Sequence, residues 1–460
     1  MSLVLLSILI TLSACGLSVA LTMALMRKHG SRWSDLPFAF VLGLALVYLE
    51  VSPSLALVGH SLPGVDGRAA DYVRLQIILF LGFVVPFVLV YAWRRPRNPL
   101  AGHPQLRRGY ARPRWDVLLV LVAVLRLAIA FRYGLWRLRI GDEVVAKTNA
   151  VPFAVYSVYR LVVEAQLPLV TVASLRLTRV RTSAARTGFA FFFFVQLLFA
   201  LLNSRFSILY LFVAGILGLA ISYRPRMRAT RRVRRTALAA LLGIYVLGLA
   251  VLQLRASTGG QGGTGAVSLS VVADSQGINR FNCVDLLAAI APLQRDGAAG
   301  IGIWSGQLWN FRRFVDPQGF AAFRERQVTS AKSQLMLRYQ GVRQSDYYSC
   351  MLTDGYGALG VFGALGLGVV CACALRASRR LIEDTQLMRV FAGVWLAWQL
   401  MVFEQEGGSV LFSWPLRLPL LIGLMIAGRL LSPRAVRVVF PVSRPGGPSA
   451  PRPTVPAGRP

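Results

Sequence analysis

The chain has 460 residues, of which 51 are Lys or Arg and only 19 are Asp or Glu, so its formal net charge is +32. Yet 55% of its residues are hydrophobic, only 15% are charged, and its mean hydropathy is +0.56. These values exclude a cytosolic globular enzyme, a disordered chain and a nucleic-acid-binding domain, because a soluble chain with this charge would be polar. Apolar runs of about 20 residues, each able to cross a hydrocarbon core of roughly 30 Å, recur instead. The composition therefore predicts an all-α polytopic protein that sits in a lipid bilayer.

Eleven apolar segments are expected to be transmembrane helices. The first has no basic residue before its apolar run and is too long for a signal peptide, so we expect it to be retained. The predicted spans are 3–26, 36–58, 73–93, 117–136, 151–175, 188–202, 206–223, 236–254, 356–375, 390–403 and 410–430.

The basic residues predict the orientation, since Lys and Arg in short loops stay on the cytoplasmic side. More than half of the 51 lie in alternate loops and in the C-terminal tail. Two short loops between them are poor in bases: 59–72 has Arg68 against Asp66 and Asp71, and 404–409 has none. Odd-numbered spans should therefore run from outside to inside, with the N-terminus outside and the C-terminus in the cytoplasm.

This topology divides the chain into four regions. They are a membrane domain with helices 1–8 at 1–254, a large outer, periplasmic loop at 255–350, membrane helices 9–11 at 351–431, and a Pro- and Arg-rich cytoplasmic tail at 432–460.

The tail is expected to be disordered, because its composition offers no apolar periodicity. The outer loop begins with a Gly-rich linker at 258–265, which has no Lys-Ser/Thr and is not a phosphate-binding loop. Apolar residues at near-helical spacing then predict a short amphipathic helix at 279–292, resting on the membrane face.

Ionisable residues inside the predicted spans stand out, because each costs about 2.5–3.5 kcal/mol at mid-membrane. Arg160 and Glu164 lie four residues apart and can pair on one helix face, either as a structural link or as part of a functional site. Glu50 and Arg126 could pair likewise across helices.

The five cysteines show no metal-binding pattern. Cys371 and Cys373 sit in an apolar span, where packing explains them. Cys283 and Cys350 lie in or beside the outer loop, where an oxidising compartment could join them or leave them as thiols. None of the three histidines is in that loop, so a His-ligated metal is not expected there.

Asn203-Ser204-Arg205 interrupts about 35 otherwise apolar residues, on the predicted outer side. A turn with an arginine reaching the interface would explain it. A turn needs no arginine, however, and the positive-inside rule disfavours one outside. A lone guanidinium at this place suits an anionic group at the membrane surface.

The outer loop also combines bases with aromatic residues. Ten bases face six acids there, and the bases include Arg280, Arg312 and Arg313. Guanidinium groups match phosphate oxygens in pairs. Trp304 and Trp309 could stack on sugars or anchor the loop at the interface.

Three of these segments resemble motifs of the O-antigen polymerase and ligase superfamily (Wzy- and WaaL-type). Asn203-Ser204-Arg205 resembles its "(G/N)SR" hairpin, and the large loop opening with an Arg-Phe/Asp-Leu-Leu helix resembles its late outer loop. The segment 346–360 is similar to its loop-to-helix motif, which ends in an acid and G-x-x-G. Ligases usually have His-Asn where this chain has Asp346-Tyr347, which favours a polymerase.

The resemblance implies metal-independent, inverting glycosyl transfer, without a cofactor, at the outer face of a bacterial inner membrane. Donor and acceptor would be glycans on undecaprenyl diphosphate, and a chain-length regulator and a flippase would be partners. Arg205 and Arg280 would grip the leaving diphosphate, with Arg312 and Arg313 as further phosphate contacts. Asp346 would be the general base, or alternatively a helix N-cap.

Three other classes of protein remain open. A flippase or transporter of lipid-linked glycans predicts internal repeats and charged central helices, whereas charge here concentrates in one outer loop. A lipid-sugar glycosyltransferase could bind a metal through Asp66 and Asp71, although their loop is short. A membrane scaffold would leave Arg205 unexplained.

Overall fold

The computed structural model describes residues 3–29, 33–57, 69–93, 114–135, 151–177, 183–203, 205–222, 350–383 and 387–401. All regular structure in these ranges is helical, and none of them contains a strand. The twelve α-helices of these ranges are α1 (Leu3–His29), α2 (Leu36–Leu46), α3 (Ser52–Leu57), α4 (Ala69–Leu79), α5 (Val85–Ala92), α6 (Arg114–Arg132), α7 (Phe153–Leu177), α8 (Ser183–Asn203), α9 (Arg205–Ser222), α10 (Met351–Leu359), α11 (Val361–Ile382) and α12 (Leu387–Met401).

Four helical stretches of the described residues are long and apolar enough to cross a membrane: Leu3–Ala24, Leu36–Ser54, Ala70–Ala92 and Val361–Ile382. The expected all-helical membrane protein is confirmed to this extent. The predicted spans 236–254 and 410–430, nearly all of the outer loop 255–350 and the tail 432–460 lie outside the described residues.

The second and third predicted spans each contain a π-helical turn. Val47–Val51 connects α2 to α3, and Phe80–Val84 connects α4 to α5. A proline follows two residues after each turn, Pro53 and Pro86. A proline ring in a helix clashes with the carbonyl group four residues earlier, and the wider π turn relieves that clash. The two prolines therefore shape these spans without ending them.

The predicted span 356–375 is wrong in its start. The helix that is long and apolar enough to span begins at Val361, and α10 comes before it as a separate helix. Gly360 separates the two with φ +59° and ψ −134°, a backbone conformation that only glycine adopts readily. The Gly-rich segment thus ends one helix and starts another.

Helix α11 lies at the centre of the described helices and contacts α5, α10 and α12. Glycines allow the close approaches, as membrane helix interfaces favour small residues. A Cβ atom at Gly368 would lie 2.8 Å from the carbonyl oxygen of Phe83, and one at Gly218 would collide with the Thr171 carbonyl. Helix α1 is peripheral and exposes Leu5, Leu12 and other large apolar side chains, as a lipid-facing helix does.

An ionic cluster ties three helix ends together. The buried carboxylate of Asp35 accepts a hydrogen bond from the Tyr91 hydroxyl (2.7 Å) and lies 3.4 Å from Arg379 Nε. Arg379 Nε also donates to Glu383 (3.2 Å), which accepts from Ser34 (2.6 Å). The three joined ends, of α2, α5 and α11, are ends that the charge pattern assigns to the same, cytoplasmic side.

Candidate functional site

Arg205 is the first residue of α9, and α8 ends at Asn203. The predicted interruption of the apolar run is therefore real, and it separates two packed helices. The other proposed contacts of the substrate lie outside the described residues: Arg280, Trp304, Trp309, Arg312, Arg313 and Asp346. Arg160 and Glu164 both lie in α7, four residues apart on a helix as expected, and their side chains lie outside the described part.

Helix α10 folds back along the first half of α11. A Cβ atom at Gly363 would collide with the Gly355 carbonyl, and Met351 Sδ lies 3.3 Å from Cys371 Sγ, halfway along α11. These contacts require the two helices to run antiparallel from the turn at Gly360. At Cys350 and Met351 the chain therefore lies beside the middle of α11, and α10 then runs back to the turn at Gly360.

The inner end of this hairpin is closed by local hydrogen bonds. Cys350 is the N-cap of α10, and its backbone N–H donates to Thr353 Oγ1 at 3.2 Å. The N-cap considered for Asp346 is therefore not the cap of α10. Cys350 and Thr353 are fully buried. Cys283 lies outside the described residues, so its pairing with Cys350 stays a prediction.

The hairpin also brings the loop-to-helix motif to the first predicted outer loop. Tyr356 of α10 is buried and interacts electrostatically with Asp71 and Arg74 of α4. Two segments that are far apart in sequence, both predicted to be outside, thus meet in space. The sequence alone suggests a functional role for Asp71 only in a rival metal site and none for Tyr356.

Arg126 forms a polar centre between α6, α7 and α8, which contact one another. Its side chain is 0% exposed. Nη1 donates to Gln196 Oε1 at 2.5 Å, Cζ lies 4.0 Å from the centre of the Phe199 ring, and Tyr159 interacts with the guanidinium. Nε and Nη2 find no hydrogen-bond partner among the described residues.

Glu50 lies in the π turn of the second span and is likewise 0% exposed. Its carbonyl oxygen accepts from Thr11 Oγ1 (2.8 Å) and Gln76 Nε2 (2.7 Å). Ser7 and Ser54 extend this network of hydroxyl and amide groups. Both carboxylate oxygens of Glu50, by contrast, lack a hydrogen-bond partner within the described ranges.

The structure does not pair Glu50 with Arg126. Each sits in a different group of helices, and neither donates to or accepts from the other. The expectation of an ion pair across helices is wrong, because Arg126 turns to an amide and an aromatic ring of α8. Neither Gln196, which bonds to Arg126, nor Gln76, which bonds to the Glu50 carbonyl, was among the predicted site residues. An amide side chain within an apolar span is nevertheless a signal that the sequence shows.

In the described part of the chain, no three His, Cys, Asp or Glu side chains lie close enough together to hold a metal ion. The described part of the candidate site contains two arginines, Arg205 at the helix break and Arg126 in the bundle. Such an arrangement can bind and neutralise anions such as phosphates.

No family model, no curated protein and no solved structure matches this chain. The class of molecule therefore has to be defined by its own helices and site. Over the described residues it is an all-helical protein with four helices long and apolar enough to cross a membrane, an arginine at a helix break, a buried arginine with unused donors, and a folded-back short helix.

Proposed function

We propose that this chain polymerises oligosaccharide repeat units carried on undecaprenyl diphosphate, at the outer face of a bacterial inner membrane. The products would be O-antigen, capsule or exopolysaccharide chains. In this proposal the chain has about eleven spans, its N-terminus is outside, and residues 255–350 form the outer loop that meets the substrates.

The observation that carries the proposal is the helix break at Asn203–Arg205. An arginine begins α9 between two apolar helices. The exposed backbone N–H groups of a helix start favour negative charge, and the guanidinium adds to that preference. A diphosphate at the membrane surface is the anion that a lipid-linked glycan brings there.

The reaction would proceed as a single displacement. The acceptor hydroxyl attacks the anomeric carbon of the donor sugar, the bond from that carbon to the diphosphate oxygen breaks, and the configuration inverts. Asp346 takes the hydroxyl proton. Arg205 and Arg280 neutralise the charge that develops on the leaving diphosphate, so electrostatic stabilisation replaces a metal ion.

The remaining loop residues would position the substrates. Arg312 and Arg313 contact further phosphate oxygens, and Trp304 and Trp309 stack on sugar rings. The return segment supports this arrangement, because the α10–α11 hairpin and the electrostatic interaction of Tyr356 with Asp71 and Arg74 bring α10 towards α4.

A transporter of lipid-linked glycans is a second candidate, and one observation favours it. Glu50 and Arg126 are fully buried ionisable residues whose side chains lack an ionic partner among the described residues. Intramembrane charges of this kind are typical of transport pathways. The outer concentration of arginine favours the polymerase.

Deletion of the gene followed by glycan analysis tests the proposal. A polymerase mutant should retain single repeat units on their normal lipid and lose long chains. Loss of attachment to the final lipid acceptor would instead identify a ligase. Cytoplasmic accumulation of lipid-linked units would identify a transporter, and either of these outcomes contradicts the proposal.

A further inference from the structure

Arg126 is a cation whose charge no described side chain balances. Its guanidinium is buried between α6, α7 and α8, and its described contacts are the neutral groups of Gln196, Phe199 and Tyr159. A buried charge without a counter-ion is costly, since burial removes its hydration. A bound anion would offset that cost.

The unused donors of Arg126 define the shape of this anion. Gln196 occupies Nη1, whereas Nε and Nη2 have no hydrogen-bond partner in the described helices. Nε–H and one N–H of Nη2 point in parallel along one edge of the planar guanidinium. Such an edge matches two oxygens of one phosphate or carboxylate group. The ring of Phe199 covers one face of the guanidinium, so an anion approaches along the edge.

The surroundings indicate how the anion reaches this place. Helix α6, which carries Arg126, exposes large apolar side chains such as Val117, Leu121 and Val124. Arg126 therefore lies on the buried side of a helix whose exposed side suits contact with lipid. Phosphate is the anionic group that membrane lipids carry. Gln196 lies seven residues before the end of α8, which puts the Arg126 centre about 10 Å along the helix from the break at Arg205.

We infer that Arg126, held by Gln196, Tyr159 and Phe199, is an intramembrane binding site for a phosphate group carried on a lipid. The lipid could be a polyprenyl diphosphate or a phospholipid of the bilayer. The proposed polymerisation uses two lipid diphosphates, and Arg205 and Arg280 account for one of them. Arg126 would then hold the other. This last assignment rests on the proposed function, whereas the phosphate site itself does not.

The test is lipid binding to the purified full-length protein in detergent, measured by native mass spectrometry. Polyprenyl diphosphate, phosphatidylglycerol and phosphatidylcholine are added in turn. Arg126→Lys keeps the charge and removes the paired donors, and Gln196→Glu places a carboxylate beside the guanidinium. Each variant should weaken binding of the preferred phosphate lipid about ten- to a hundredfold, since a paired, charge-assisted contact is lost.

Arg132→Gln is the matched control, because Arg132 is an exposed arginine of the same helix. It should bind like the wild type. Preference for polyprenyl diphosphate over phosphatidylglycerol supports the site and identifies the lipid as the substrate type; equal binding of the two supports it as a phospholipid site.

Wild-type affinity in both Arg126→Lys and Gln196→Glu would overturn the inference, and so would equal binding of phosphatidylcholine and the two anionic lipids. Folding of each variant is checked by its unfolding temperature, and Gln196→Glu is expected to fold because it pairs the buried cation. Loss of phosphate binding in both variants with normal glycan polymerisation would support the phosphate site and overturn only its assignment to the second lipid diphosphate. Loss of phosphate binding in both variants, together with a gene deletion that leaves long glycan chains intact, would overturn only the proposed function.

Discussion

At the scale of single residues, the molecule handles its buried polar groups in two opposite ways. Gln76 makes bonds to Ser7, Thr11 and the Glu50 carbonyl, so it joins three helical segments. The Glu50 carboxylate shares none of these bonds. A buried polar group with partners stabilises a fold, whereas one without partners costs about 1–3 kcal/mol.

These two residues therefore predict opposite effects on stability. Glu50→Met removes the unpartnered group with an unbranched side chain of similar length and should raise the free energy of unfolding, or leave it unchanged. Gln76→Leu leaves the polar groups that Gln76 joins without this hydrogen-bond partner. It should lower the free energy of unfolding by about 1–3 kcal/mol. Unfolding of the purified protein in detergent measures both, and equal destabilisation by the two changes would show that the Glu50 carboxylate has a stabilising partner.

At the scale of elements, the α10–α11 hairpin depends on two glycines with different tasks. Gly360 supplies the positive φ of the turn, and Gly363 lets the two helices touch. Gly366 lies on the same helix, and a Cβ atom there would meet nothing within 4 Å. This helix thus contains its own control position.

Substitution of each of these three glycines by alanine should change the stability of the protein to a different extent. Gly360→Ala should cost about 1–3 kcal/mol through backbone strain. Gly363→Ala should also destabilise, because its Cβ would collide with a backbone carbonyl. Gly366→Ala should be neutral or stabilising, since alanine favours helix. Thermal unfolding in detergent compares the three; a Gly360→Ala variant as stable as the wild type would contradict the turn.

The fold-back itself predicts a short distance between positions far apart in sequence. In one straight helix, residues 351 and 371 would be about 30 Å apart. In the hairpin, their side chains are in contact. A short bifunctional thiol reagent should therefore cross-link Met351→Cys to Cys371, detectable by mass spectrometry. When Cys371→Ala is added, Met351→Cys should not become cross-linked to the exposed Cys373 instead. Absence of the cross-link between Met351→Cys and Cys371 would contradict the hairpin and favour one straight helix.

At the scale of the whole molecule, the Asp35–Arg379 cluster joins the early and late membrane helices. Asp35 is 1% exposed and Arg379 is 10% exposed. The three helix ends they connect all belong to the predicted cytoplasmic side. The cluster therefore fixes how the N-terminal spans and α11 are aligned with each other.

Breaking this cluster from one side should be costly. Arg379→Met would leave Asp35 as an uncompensated buried charge and lower the free energy of unfolding by about 3–5 kcal/mol. Adding Asp35→Asn should recover part of the loss. Arg380→Met, at an exposed neighbour, should change little. Chemical denaturation in detergent measures the series, and additive losses in the double variant would argue against direct coupling.

Sequence periodicity and length predicted the apolar helices and the break between Asn203 and Arg205, because both depend on local composition. They could not predict the fold-back at Gly360. A run of apolar residues looks the same whether the helix continues or the chain reverses. The reversal is decided by contacts between positions far apart in sequence, such as Met351 and Cys371. The environment of Arg126 was hidden for the same reason, since its partners come from two other helices. The outer-loop part of the candidate site stays a prediction.

The central claim is that arginines at the outer face, and no metal ion, drive polymerisation of lipid-linked repeat units. The direct measurement is chain growth by the purified protein in lipid nanodiscs, supplied with undecaprenyl-diphosphate-linked repeat units and a strong chelator. We predict a ladder of products from the wild type and from Arg186→Gln, an exposed arginine at the start of α8. Arg205→Gln should yield only single units at an unchanged unfolding temperature. A normal ladder from Arg205→Gln, or a strict need for a divalent metal, would contradict the claim.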